Sequence, residues 1–179
     1  VIGDHNREGL INSMNIVEST EFRTHPAFYD WIEALNVRWL LLPVPVSNDR
    51  IEYIGESPAA SVYRVKGTLP RARIAPRLRL VPTMEEVWSL TKANKLDLRN
   101  EVLMLSAWDI RHVRSLQSGS QDEPTVGEAQ IVIDRANKVV VEASAPRGGL
   151  LVLADTFYPG WIAHVDGKES PVMRVNVTQ

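Results

Sequence analysis

Two carboxylates and three aromatic rings, crowded into one short stretch, are the side chains of this chain most suited to chemistry. Asp155 and Asp166 bracket Phe157, Tyr158 and Trp161, which stand around a Pro159-Gly160 pair. Paired acids carry out glycoside chemistry, one as proton donor and the other as nucleophile or base. Asp166 is followed by Gly167, however, and Asp-Gly between alternating segments signals a two-residue hairpin turn. That role explains Asp166 without any reaction. Asp155 ends an apolar run just before the Pro-Gly corner, where its carboxylate is expected to accept backbone N–H groups. No catalytic residue is assigned.

Phe157, Tyr158 and Trp161 have two uses at such a corner. Exposed, they form a platform on which a sugar ring can stack. Turned inward, they plug the end of a sheet core, with the polar tips of Tyr and Trp hydrogen-bonded. Trp161 is expected to be the plug, with Phe157 and Tyr158 partly exposed. Asp155, Phe157, Tyr158 and Trp161 therefore make up the candidate ligand site.

Other reactive types are scattered. His5, His25, His112 and His164 stand alone in sequence, without the His-x-x-x-His spacing of a local zinc motif. His164 alternates with Ala163 and Val165 and is expected to face solvent. The chain has no cysteine, which excludes disulfides, thiol catalysis and thiolate metal sites. Gly148-Gly149 reads as a turn between strands and not as a phosphate loop, because no helix follows it. No metal and no cofactor are implied.

The elements that position these groups can be read from spacing. Phe28, Trp31, Ile32 and Leu35 fall at i, i+3, i+4 and i+7, predicting a helix over Pro26 to Asn36 with Pro26 in its first turn. A buried strand from Val37 to Leu42 should follow, ended by Pro43. Leu10 to Phe22 carries a weaker helical period. Ile51 to Tyr53 and Val62 to Val65 alternate as strands, and Pro70 requires the next strand to begin after it or to lie at an edge. Arg71, Arg73, Arg77 and Arg79 alternate, the pattern of a solvated strand face. Thr83 and Glu86 form a capping box that opens a helix, with Met84, Val87, Trp88 and Thr91 on one face. Leu98 to Ser106 reads as a further strand.

Residues 117–127 have no period and are rich in turn formers, so they read as a linker. Beyond them the pattern is strand throughout: Ala129, Ile131 and Ile133 alternate with polar residues, and Val139, Val141 and Ala143 return across an Ala136-Asn137 turn. Several short strands at such spacing predict an antiparallel β-sandwich-like unit. The fold class is thus α+β, with a mixed helix and strand part over 1–116, the linker over 117–127, and an antiparallel β part over 128–179.

Composition sets wider bounds. The 179 residues are 44% hydrophobic and 23% charged, ordinary for a globular chain with a real core. Twenty basic and 22 acidic residues give a net charge of −2, a poor match to a nucleic-acid binder. The longest apolar run, Trp39 to Val46, contains Pro43 and Pro45 and is far too short to span a bilayer. The first residue is Val1, and an alternating stretch from Val172 to Val177 stops at Gln179 without a turn. Both ends read as cut, and the C-terminal sheet is expected to be truncated.

Three phrases carry a family resemblance: Asn36-Val37-Arg38-Trp39, Leu69-Pro70-Arg71-Ala72, and the corner from Asp155 through Tyr158-Pro159-Gly160-Trp161 to Asp166-Gly167-Lys168. Together, and in this order, they resemble the C-terminal region of YfhO-type bacterial membrane proteins, although Trp39 replaces the usual tyrosine. Those proteins look like polyprenyl-phosphate-sugar-dependent glycosyltransferases with many membrane spans. The resemblance implies an extracytoplasmic part of a multi-pass membrane protein, with the transfer chemistry on an acidic loop outside this chain. Its implied partners are the remainder of that protein and a glycan or cell-envelope polymer. Two alternatives stand beside it: a carbohydrate-binding or adhesion module, and a structural spacer without ligand.

Overall fold

The computed structural model describes residues 25–106 and 127–179; the helical reading of Leu10 to Phe22, His5, His112 and all of the linker but Gly127 lie outside them. The first helix, α1 (Pro26–Ala34), has Pro26 at its start, and His25 Nδ1 accepts from the Ala27 N–H at 3.2 Å. It ends in a Schellman motif. Asn36 takes the left-handed conformation (φ 60°), its N–H donates to Glu33 O, and the Val37 N–H donates to Ile32 O at 2.9 Å. The Asn36 side chain also donates to Leu69 O at 2.6 Å, tying the helix end to the segment around Pro70.

Strands β1 (Trp39–Leu42), β2 (Ile51–Ser57) and β3 (Ala60–Val65) form an antiparallel sheet in the order β1-β3-β2. Its inner face packs Ile51, Tyr63 and Val65 on Phe28, Tyr29 and Ile32 of α1, with Leu40 and Leu42 alongside. The expected burial of the first strand is corrected here. Only alternate residues reach the helix, because strand side chains point to opposite faces, and Trp39 remains 53% exposed.

Strand β4 (Ala72–Ala75) does begin after Pro70. Strand β5 (Arg77–Val81), helix α2 (Met84–Lys92) and strand β6 (Glu101–Leu105) then form a βαβ unit, since β5 and β6 pair in parallel. Thr83 caps α2 by accepting from the Glu86 N–H at 3.2 Å, as the capping box predicts. Its C-terminus repeats the device of α1, with Asn94 at φ 52° and the Lys95 N–H donating to Leu90 O. Val87 and Thr91 are buried, and Trp88 and Met84 pack against the cluster of Trp31, Ala34, Val81, Leu98, Leu103 and Leu105. Strand β6 is shorter than its apolar pattern suggests and buried at every position, as a parallel strand covered on both faces should be.

From Gly127 onward the described residues contain strands and no helix: β7 (Glu128–Arg135), β8 (Lys138–Ser144), β9 (Leu150–Leu153), β10 (Ala163–Val165) and β11 (Lys168–Ser170). The molecule is therefore α+β, with two short helices and several small, mostly antiparallel sheets among the described residues. The β7–β8 hairpin turns at Ala136-Asn137 and carries a bulge between Ile131 and Ile133. Strand β9 pairs with β4, so one sheet is built from both halves of the chain. Val152, Ala75 and Val102 close a third core cluster beneath it.

Two further expectations change. The stretch 172–177 is not a strand; it runs irregularly into a turn with Asn176 at φ 48° and Val177 at φ 71°. Asn176 occupies both backbone groups of Leu103: its N–H donates to Leu103 O at 2.8 Å, and its Oδ1 accepts from the Leu103 N–H at 2.9 Å. Gln179 then donates to Ala34 O at 3.1 Å, which pins this turn to the end of α1. The alternating arginines do not share a solvated face either. Arg73 points inward from β4 and is 7% exposed.

Candidate functional site

Arg71 and Asp155 flank the paired strands β4 and β9 on the same side. The Ala154 N–H donates to Arg71 O at 2.7 Å and extends the ladder by one bond. The side chains then meet. Arg71 Nε donates to Asp155 Oδ1 at 2.7 Å, Nη2 donates to Oδ2 at 2.8 Å, and Nη1 donates to Asp134 Oδ2 of β7 at 2.6 Å. Hydrogen bonds to Asp155 first and Asp134 second hold the guanidinium above its ordinary pKa. The partner of Asp155 is a guanidinium and not the backbone N–H groups of the corner. Both carboxylate oxygens are thereby engaged, and Asp155 is not among the residues lining the cleft described next.

The corner itself is a hydrogen-bonded turn. The Trp161 N–H donates to Tyr158 O at 3.2 Å across Pro159 and Gly160, and the Phe157 N–H donates to Thr178 O at 2.7 Å. Proline presets the backbone for the first central position of such a turn. A Cβ at Gly160 would lie 3.3 Å from Tyr158 Cε1, so the Tyr158 ring is folded back along the turn and glycine leaves room for it. Beyond the corner, β10 and β11 pair across the expected two-residue turn, with Asp166 at φ 51° and Gly167 at φ 79°. These positive values at both central residues are the type I′ geometry.

Corner and hairpin enclose an open cleft of about 180 Å³. Phe157, Tyr158 and Trp161 line it together with Glu169, Pro171 and Val172. Phe157 and Trp161 are half-buried, and Tyr158 is 64% exposed. The plug expected of Trp161 is thus corrected. Trp161 is only partly covered and lines the cleft. His164 is exposed, as alternation predicts, and lies directly across the ladder from Glu169.

Glu169 was not singled out from the sequence, yet the signal was present. A two-residue turn at Asp166-Gly167 fixes Ala163 opposite Ser170, so residues 169–172 must return beside Trp161. The structure brings the three predicted rings together, adds Glu169 to them, and holds Asp155 to one side on Arg71. Asp166 sits at the turn of the hairpin as expected.

Two charged features lie elsewhere. Glu33 is buried and receives both Arg50, at 2.7 Å, and Arg99, while Arg50 also pairs with Asp30 at 2.7 Å. Gly67 is pressed against this cluster, since a Cβ there would lie 2.5 Å from Glu33 Oε1. Arg73 Nη2 makes a long contact of 3.4 Å to Leu98 O, and its Nε and Nη1 have no partner among the described residues. Burial pushes this guanidinium below its ordinary pKa. Among the described residues no group of three or more His, Cys, Asp or Glu side chains is placed to hold a metal ion. No helix among them is long and apolar enough to cross a membrane.

Comparison with protein-family models, with curated proteins and with solved structures finds no match to this chain.

Proposed function

We propose that this chain is a non-catalytic, extracytoplasmic part of a multi-pass membrane protein resembling the YfhO-type glycosyltransferases, and that its aromatic corner holds a glycan weakly. The observation that carries the binding part is the corner itself. Three rings stand around an open cleft with Tyr158 largely exposed, where a core-filling trio would be closed over. Aromatic faces take the C–H face of a sugar, and Glu169 accepts hydrogen bonds from its hydroxyls. At about 180 Å³ the cleft is smaller than a usual small-molecule pocket, which suits one sugar unit of a longer glycan and low affinity.

The placement in a membrane protein rests on the three sequence phrases, and the structure gives each a physical role. Asn36 ends a helix, Arg71 clamps Asp155, and the Pro-Gly corner with its Asp-Gly hairpin builds the cleft. The C-terminal strands in this reading belong to an antiparallel β-sandwich-like unit in the parent protein. Its partners are the membrane-embedded remainder and an acceptor glycan or envelope polymer.

The reading frame upstream of Val1 tests the membrane part. Repeated apolar stretches of about 20 residues are expected, and a frame without them removes the proposal. Titration with glycans followed by NMR tests the binding part. Shifts at Tyr158 and Trp161, lost in Tyr158→Ala, are expected; an absence of shifts with every glycan leaves a spacer without ligand. The purified chain is expected to turn over no polyprenyl-phosphate sugar, and turnover abolished by Asp155→Asn would overturn the non-catalytic assignment.

A further inference from the structure

We infer that two copies of this chain associate through the open edge of β1, which pairs with itself antiparallel about a two-fold axis. The contact does not depend on the glycan reading. The three-stranded sheet has two edges, β1 and β2, and they are defended unequally. Natural sheets protect an edge with a bulge, with charged side chains or with proline. Strand β2 carries a bulge between Tyr53 and Gly55 and the acids Glu52 and Glu56. Strand β1 reads Trp-Leu-Leu-Leu, without a charge or a bulge, and only β3 pairs with it among the described residues. Trp39 and Leu41 stand 53% and 64% exposed there.

The backbone fixes the register. The Val65 N–H donates to Arg38 O at 2.9 Å, so residue 38 turns its carbonyl toward β3. Bonded pairs alternate along an antiparallel ladder, which gives Leu40 and Leu42 the same direction. Trp39 and Leu41 therefore turn their N–H and C=O groups to the open edge. The flanking positions offer nothing more. Pro43 has no N–H. The Val37 N–H donates to Ile32 O at 2.9 Å, and its C=O accepts from Thr68 Oγ1 at 2.9 Å. Two donors and two acceptors remain, on residues two apart. An identical strand laid antiparallel, with Leu40 facing its own copy on the axis, satisfies all of them. Trp39 exchanges both its bonds with Leu41 of the second copy, and Leu41 exchanges both with Trp39 of the second copy.

The side chains agree with this register. Leu40 and Leu42 pack toward α1, so Trp39 and Leu41 lie on the opposite face of the sheet. Each indole then lies opposite a leucine, in the cross-strand position where side-chain pairs stabilise a sheet. Arg64, beside Trp39 in β3, is paired with Glu52 and brings no uncompensated charge to the contact. Trp39 and Leu41 leave on the order of 200 Å² of apolar surface open on each copy. That is well below what a permanent dimer buries and suits a weak, reversible one.

Sedimentation velocity across about 10 μM to 1 mM should show reversible conversion of monomer to dimer. Amide hydrogen exchange over the same range separates this interface from any other. The Trp39 and Leu41 amides should exchange about fivefold more slowly at the highest concentration, while those of Leu40 and Leu42, bonded to β3, stay unchanged. Leu41→Lys puts a charge on an exposed edge position, so its melt should match wild type while dimerisation weakens about tenfold or more. If that variant does not fold, exchange in the wild type decides alone. A monomer throughout the range overturns the inference. So does a dimer that persists in a folded Leu41→Lys, or one whose Trp39 and Leu41 amides gain no protection.

Discussion

Arg71 grips Asp155 through two parallel hydrogen bonds, of 2.7 and 2.8 Å, across 84 residues of chain. The pair closes the end of the β4–β9 ladder and fixes where the corner leaves the sheet. Bidentate guanidinium–carboxylate pairs add directional rigidity as well as attraction. The position of the rings thus depends on a contact remote in sequence. With both side chains about one-quarter exposed, Arg71→Ala should cost about 1–2 kcal/mol, between the range for surface pairs and that for buried ones. A double-mutant cycle with Asp155→Ala in urea should return a coupling of about 1 kcal/mol. Additive losses would show that the pair contributes nothing.

Trp161 and Tyr158 should separate in their effects on stability. Trp161 is half-buried, so Trp161→Ala should cost about 1–3 kcal/mol, less than the loss for a fully buried ring. Tyr158 is largely exposed, and Tyr158→Ala should stay within about 0.5 kcal/mol while weakening ligand binding. Thermal melts of the two variants check this. A large loss for Tyr158→Ala would place its ring in a packed environment.

Arg73 should be a stability liability. Its Nε and Nη1 lie buried without partners among the described residues, and a desolvated charge lacking compensation costs several kcal/mol. Arg73→Met keeps much of the side-chain volume and removes the charge, so it should raise stability by about 1–3 kcal/mol in urea denaturation. A loss of stability would reveal an anionic partner for the guanidinium in solution.

Asn176 should be intolerant of change. Asn176→Ala leaves the buried Leu103 N–H without its acceptor and frees Gln179 from its partner. It also places alanine at positive φ, where asparagine is better tolerated. The expected cost is about 2–3 kcal/mol, the penalty for an unsatisfied buried donor plus backbone strain. Amide hydrogen exchange at Leu103 should accelerate, and unchanged protection there would contradict the assignment.

Gly67 stands against the ion cluster of Glu33. Gly67→Ala would push a methyl to 2.5 Å from Glu33 Oε1 and 2.7 Å from Arg99 Nη2. Glu33 is buried and cannot swing into solvent, so the loss should be about 2–4 kcal/mol, the scale of disturbing a buried charge network. A melt within a degree of wild type would show that the cluster rearranges freely.

The local elements were legible in the sequence because their causes are local. Pro26 and the 3.6-residue period set α1, Thr83 and Glu86 set the start of α2, and Asp166-Gly167 set the last hairpin and its register. Each is a matter of backbone preference or of one side chain meeting a neighbouring N–H. The three rings were visible as a group for the same reason, since a four-residue turn gathers them. Tertiary structure decided the rest. Arg71 and Arg73 occupy equivalent places in an alternating pattern, yet one is clamped by two aspartates and the other is buried with no carboxylate partner among the described residues. Alternation tells which face a side chain takes, and only the pairing of β4 with β9 determines what covers that face. The stretch 172–177 alternates like a strand, but Asn176 meets Leu103 with its side chain and bends the chain away. Whether Trp161 is fully or only partly buried was likewise left to the tertiary structure. Period and turn chemistry act over a few residues, whereas burial and charge pairing are settled by segments far apart in the chain.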